Sequence, residues 1–204
     1  MKLLVATSNA HKLKEILTIL SVPGLELMSL CDVPDVPDVV EDGETFDANA
    51  RLKAGTVAKL TGMWVLADDS GLEVDALGGD PGVISARYAG EPSDDARNNA
   101  KLLASLGDSV NRSARFRCVL ALSDRLGACA TVEGCCEGRI ARSERGVQGF
   151  GYDPLFIPDG HANTFGELQP DIKNGISHRY GALARARKAW ATVLRGDLES
   201  WDAG

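Results

Sequence analysis

The chain has 204 residues, of which 44% are hydrophobic and 25% charged, and its formal net charge is −7. That composition supports one core of ordinary size without metal or disulfide staples and argues against disorder. The acidic balance speaks against a general nucleic-acid binder, which carries a basic face, while a triphosphate can still be held by a local basic cluster or a cation.

The first apolar run, Leu3–Ala6, predicts a buried strand. Thr7-Ser8-Asn9 ends it and supplies capping side chains for a helix carrying Leu13, Ile16, Leu17 and Leu20 at helical spacing. Pro23-Gly24 stops that helix, and residues 25–30 predict a second strand. Residues 32–44, which include Asp32, Pro34, Asp35, Pro37, Asp38, Glu41, Asp42 and Glu44, read as a solvated acidic loop. Thr45 then caps a helix to about Leu60 with Phe46, Ala50, Ala54, Val57 and Ala58 on its apolar face; Asn49 and Lys53 share another face.

The next apolar run, 63–67, halts at Asp68-Asp69, and Gly78–Gly82 makes a turn. Ser93 or Asp94 caps a helix carrying Ala96, Leu102, Leu103 and Leu106. Phe116, Cys118, Leu120 and Leu122 alternate with Arg117, Val119 and Ala121 as in a strand, and residues 128–142 are expected to pair with it antiparallel. A last helix starts near Ser177, with Tyr180, Leu183, Ala184, Arg187, Ala191 and Leu194 on its inner stripe. The fold class expected is α/β with a mixed sheet.

Five cysteines (Cys31, Cys118, Cys129, Cys135, Cys136) form no CxxC pair and read as free thiols in a reducing compartment. No apolar run approaches the ~18 residues of a membrane span. The opening Met1–Ala6 is too short for a signal peptide. A cytoplasmic protein without membrane partners is expected.

Five segments carry chemistry. Thr7, Ser8, Asn9, Ala10, His11 and Lys12 lie between strand and helix, where backbone N–H groups favour an anion and Lys12 adds charge; no GxxxxGK[ST] is present. Asp68-Asp69-Ser70-Gly71 puts two carboxylates at the end of an apolar strand. Neighbours on an extended chain face opposite ways, so one acid meets a ligand and the other orients its surroundings. Such an acid suits Mg²⁺ or takes a proton from water. Glu41 offers a second carboxylate, and Lys53 neutralises phosphate or steadies a carboxylate. Gly149-Phe150-Gly151-Tyr152-Asp153-Pro154 offers aromatics for stacking on a base, or else packs them in the core. Lys173 through Arg179, with His178 between them, gathers three basic groups at a helix start, where donors suit the O6 acceptor of a keto purine.

In this order and spacing the segments resemble the inosine/xanthosine triphosphate pyrophosphatase family. The likeness rests on Thr7-Ser8-Asn9 with Lys12 and Glu15, on Glu41, Gly43, Phe46, Asn49-Ala50 and Lys53-Ala54, and on Ala67-Asp68-Asp69-Ser70-Gly71-Leu72. It continues through Pro81-Gly82, Ser85-Ala86-Arg87-Tyr88, Phe150–Pro154 and Ile176-Ser177-His178-Arg179, and so covers nearly the whole chain. Gln169 and Pro170-Asp171-Ile172 depart from the family pattern. The resemblance implies one nucleotide pyrophosphatase domain over 1–204, with an elongated mixed sheet flanked by helices, two lobes around a cleft, and a homodimer. It implies Mg²⁺-dependent hydrolysis of dITP, ITP and XTP to the monophosphate and pyrophosphate, which cleanses the nucleotide pool. Residues 7–12 would bind the triphosphate and Ser70 would touch substrate. Asp69 would accept the proton, with Lys53 in the catalytic group, and Asp69 and Glu41 would hold the metal. Phe150, Gly151, Tyr152, Asp153, Lys173, His178 and Arg179 would enclose the base. A phosphatase releasing orthophosphate and a non-catalytic nucleotide sensor are the competing readings.

Overall fold

The computed structural model describes residues 1–33, 35–199 and 201, so Pro34 of the acidic loop lies outside the described residues. The strands are β1 (Lys2–Ala6), β2 (Glu26–Ser29), β3 (Val65–Val74), β4 (Ser113–Ser123), β5 (Cys129–Ile140) and β6 (Phe156–Pro158). The helices are α1 (Ala10–Ile19), α2 (Phe46–Thr61), α3 (Asp95–Leu106), α4 (Pro170–Ile176), α5 (His178–Ala189) and α6 (Ala191–Leu194). The strands form one sheet in the order β2-β1-β3-β4-β5-β6. β1 pairs in parallel with β2 and β3, whereas β5 and β6 are antiparallel, so the sheet is mixed as expected.

The chain divides into two compact units, and β3, β4 and β5 each give residues to both. The first comprises Met1–Asp69, Cys118–Gly134 and the chain from Arg179 onward. Leu3 and Val5 of β1, Leu66 of β3 and Leu120 and Leu122 of β4 meet Ile16 and Leu20 at α1 and Leu183 and Trp190 at α5 in its core. The second comprises Ser70–Arg117 and Cys135–His178, with Leu72, Val74, Leu102, Phe116, Phe156 and Phe165 in its core. Phe116, Phe156 and Phe165 touch one another there.

Caps fall where side-chain chemistry puts them. Asn9, Thr45 and Asp94 accept backbone N–H groups at the starts of α1, α2 and α3, and Gly62 ends α2 in the left-handed region. The structure corrects four expectations. The strand does not end at Asp68-Asp69 but runs through both to Val74. From Cys118 to Ser123 every residue of β4 is buried, because apolar neighbours cover both faces, so the apparent alternation marks no wet side. The last helix is split at Trp190, and its buried stripe is Ala182, Leu183, Ala186, Trp190, Val193 and Leu194. Tyr180, Ala184 and Arg187 are exposed instead; alanines and arginines alternate there, which leaves the apolar pattern without a definite phase. Finally, α4 went unpredicted because Ile172 and Ile176 are exposed and give no stripe; Pro170 at its first turn was the available signal.

Candidate active site

Asp68 and Asp69 are consecutive on β3 and take opposite roles, as the alternation of an extended backbone requires. Asp68 is fully buried in the first unit. Its Oδ1 lies 2.6 Å from Lys12 Nζ on α1. Its Oδ2 accepts from Arg179 Nε on α5 at 3.0 Å and from the Cys118 thiol on β4 at 3.0 Å. Nη1 of Arg179 donates to Glu15. Burial alone would raise the Asp68 carboxyl, but Arg179 and Lys12 outweigh it and hold the group well below the usual carboxylate range. Asp68 is therefore a fixed anion that joins α1, α5, β3 and β4.

Asp69, only 6% exposed, is offset less completely. Burial pushes its carboxyl up; Lys12 opposes this, the charge of Glu41 adds to it, an Asn49 hydrogen bond opposes it, and Asp68 adds again, leaving a value of about 6. A carboxylate poised there can take a proton near neutral pH.

The segment before α2 is clamped to that helix. Asn49 Oδ1 accepts the Gly43 N–H at 2.8 Å and its Nδ2 donates to Gly43 O at 3.3 Å. A Cβ at Gly43 would meet Asn49 Oδ1 at 2.6 Å, so the close approach needs glycine. Glu41, two residues earlier, sits 2.8 Å from Lys53 Nζ, which also donates to the Asp68 carbonyl at 3.3 Å. Lys53 thus steadies a carboxylate and ties α2 to β3.

The turn before α1 caps that helix, as its side chains predict. Asn9 Oδ1 accepts the N–H groups of His11 and Lys12 at 2.9 and 3.1 Å, and Thr7 Oγ1 accepts that of Asn9 at 3.2 Å. These donors serve the cap, and Lys12 pairs with Asp68. Ser8, Asn9, Ala10 and His11 are exposed, Thr7 is buried, and Ser70 on β3 is half-buried.

The second unit gathers another cluster. Asp153 Oδ2 accepts from Lys173 Nζ at 2.6 Å and from the Phe150 N–H at 2.8 Å. Lys173 Nζ also lies 4.8 Å from the Phe150 ring centroid. Asp153 and Lys173 are buried, Phe150 and Gly151 half-exposed. Gly151, at φ +60°, donates its N–H to Asp95 Oδ2 at 2.7 Å. Buried His178 stacks on Phe116, with centroids 4.7 Å apart and planes 15° apart.

Two residues expected at the base also hold the fold together. Tyr152 is a core residue whose hydroxyl donates to Ser85 O at 2.8 Å. Arg179 is 1% exposed and pairs with Asp68 and Glu15, so it organises the acidic centre. Lys173 lies on α4, and His178 and Arg179 open α5. Sequence reasoning missed Cys118 and Asp95 as partners and gave Glu15 no role. An isolated acid or thiol carries no motif, and only the fold brings them to Asp68, Arg179 and Gly151.

Glu41 and Asp69 are the residues that would hold a cation. The charge of Glu41 raises Asp69, and a hard cation between oxygen donors relieves that repulsion. Among the described residues no group of three or more His, Cys, Asp or Glu forms a metal cage. Two carboxylates still fit Mg²⁺, which keeps waters and binds substrate phosphates rather than demanding a full protein shell.

The profile of the Ham1 family matches residues 3–189. A dITP/XTP pyrophosphatase of Desulforamulus reducens is 52% identical over 189 residues, covering 91% of this chain and 94% of the relative. One from Bacillus subtilis is 48% identical over 187 residues, covering 91% and 94%. The solved HAM1 protein of Coxiella burnetii superposes with a TM-score of 0.87 at 42% identity, covering 94% of this chain and 98% of that one.

Proposed function

This chain belongs to the Ham1 family, and on that premise we propose that it hydrolyses the altered purine nucleoside triphosphates dITP, ITP and XTP to the monophosphate and pyrophosphate. The observation that carries the reading is Asp69: a buried carboxylate at about 6, next to an Asp68 held as an anion by Arg179 and Lys12. A neutral-pH general base needs that poise. The names of the relatives support the substrate class, and the burial of Asp69 supports it as the proton acceptor.

In this reading a water attacks the α-phosphorus. Its proton passes to Asp69, the bond from the α-phosphorus to the bridging oxygen breaks, and pyrophosphate leaves. Asp68 keeps Lys12 fixed, and Lys53 fixes Glu41 beside the acid. Mg²⁺, when bound by Asp69 and Glu41, would neutralise phosphate charge and lower the pKa of water. In the second unit Lys173, Asp153, Phe150 and His178 supply donors, an acceptor and rings suited to a nucleobase. The five free cysteines fit a reducing cytoplasm, and a homodimer is the assembly we assign.

The test is a panel of ITP, dITP, XTP, ATP and GTP with and without Mg²⁺, both products being identified by mass. Pyrophosphate from the altered purines, with Mg²⁺ required, is expected. Orthophosphate release would make the chain a phosphatase, and tight ITP binding without turnover would make it a sensor. Sedimentation equilibrium tests the dimer.

A further inference from the structure

The second unit contains a cavity of about 530 Å³ that shares no lining residue with the proposed catalytic or base-binding groups. Arg112, Arg139, Arg142 and Arg145 line it together with Ser113 and Ser143, and no Asp or Glu is among the lining residues. Four guanidinium groups around one cavity stand out on a chain whose net charge is −7.

Two of the four are built into the wall. Arg112 donates from Nε to Ile140 O at 2.9 Å, from Nη1 to Gly107 O at 3.2 Å and from Nη2 to Ala141 O at 3.0 Å. Neutral carbonyls orient this cation without cancelling its charge, and three anchors stop it from swinging away. Burial first, and then the neighbouring Arg142, lower its pKa, so the like charges press on each other. Arg145 donates from Nη2 to Ala162 O at 3.0 Å and lies 3.4 Å from Glu167 Oε2, while its Nε is buried without an acceptor. A buried N–H with no acceptor is costly, and a ligand oxygen would satisfy it. Arg139 and Arg142 are exposed and can close on what enters.

We propose that the cavity lined by Arg112, Arg139, Arg142 and Arg145 is a second ligand site, which binds a di- or triphosphate chain. Guanidinium forks match phosphate oxygens in pairs, and a chain with several negative charges answers four cations better than one orthophosphate does. The volume falls in the range of about 300–1,000 Å³ typical of small-molecule sites. The chain can come as free pyrophosphate or as the tail of a nucleotide. The proposal does not depend on the proposed catalytic activity, since it uses none of those residues.

The experiment is calorimetric titration of the full chain without divalent metal, using pyrophosphate in one arm and a nucleoside triphosphate analogue with an α,β-methylene bridge in another. Wild type is compared with R139S/R142S and with Arg142→Glu, both at exposed positions that spare the anchored Arg112. Affinity for at least one ligand should fall about tenfold or more in both variants, while KM and kcat for ITP stay unchanged. Loss in the pyrophosphate arm alone identifies the free anion; loss in the analogue arm alone identifies a nucleotide. Titrations that do not distinguish the variants from wild type would overturn the site. So would displacement of pyrophosphate by equal concentrations of sulfate or orthophosphate.

Discussion

Arg179 Nε meets Asp68 Oδ2 at 3.0 Å across 111 residues of chain, and both side chains are buried. Glu15 holds the other arm of the guanidinium. Removing one member of such a network leaves a buried charge without its partner, which typically costs about 3–5 kcal/mol. Arg179→Ala is therefore expected to lower stability by that order in urea unfolding, and Arg179→Lys to recover only part of it, because an ammonium cannot span both acids as a fork. A variant as stable as wild type that merely changes the ITP-over-ATP ratio would return Arg179 to the base.

Asp69 makes a prediction in pH. Its folded value of about 6 lies above the 3.8 of an unperturbed Asp. Between those values the folded chain binds more protons than the unfolded one, so this group's contribution to stability falls as pH rises through that window. Above it the ionised Asp69 costs up to about 3 kcal/mol. Asp69→Asn should thus stabilise the protein at pH 8 and show a smaller fall in stability between pH 4 and 6, while abolishing turnover. With no metal bound, the Asp69 carboxyl followed by NMR should titrate near 6. An Asn variant with substantial residual turnover removes Asp69 from the chemistry.

Much of this centre was legible in the sequence, for definite reasons. A continuous apolar run placed β1, the 3.6-residue period placed α1 and α2 and alternation placed β4, and the caps Asn9 and Thr45 stood where side-chain oxygens meet helix starts. That Asp68 and Asp69 face opposite ways followed from strand alternation, while the choice of Asp69 as proton acceptor came from the family resemblance. Other features were not legible. Two acids in an apolar run look like a strand end, and only the compensation by Lys12, Arg179 and Cys118 lets β3 carry them through its middle. The phase of α5 was hidden among alternating alanines and arginines. For Tyr152 the glycine-rich segment left stacking and core packing open, and its ring lies in the second core.

Cys118 tests the Asp68 network from its least polar side. Burial, then the charge of Asp68, holds the thiol well above its ordinary range, so it acts as a protonated donor. Cys118→Val deletes that donor beside a buried carboxylate and should cost about 1–3 kcal/mol, whereas Cys118→Ser keeps one and should cost less. In the folded protein, iodoacetamide at pH 8 should modify exposed Cys31 while leaving Cys118 intact until denaturant is added. Alkylation of Cys118 at the rate of Cys31 would show that the network opens readily.

Gly149 governs the other cluster. It sits at φ +77°, and a Cβ there would lie 1.9 Å from Asp153 Oδ2, the atom that accepts from both Lys173 and the Phe150 N–H. Gly149→Ala must therefore expel the Asp153 carboxylate, which strands buried Lys173 without its counter-ion. Gly151 is a matched control: it has φ +60°, and a Cβ at that position meets nothing within 4 Å. Both substitutions carry the left-handed strain of an L-residue, about 1–2 kcal/mol, so any difference beyond that reports the collision. If this cluster holds the base, Gly149→Ala should raise KM for ITP about tenfold more than Gly151→Ala does and spare kcat, because uniform binding is lost and the Asp69 chemistry is not. Equal KM values for the two variants would free the Asp153–Lys173 pair from any part in base recognition, and a fall in kcat with unchanged KM would tie it to the chemical step instead.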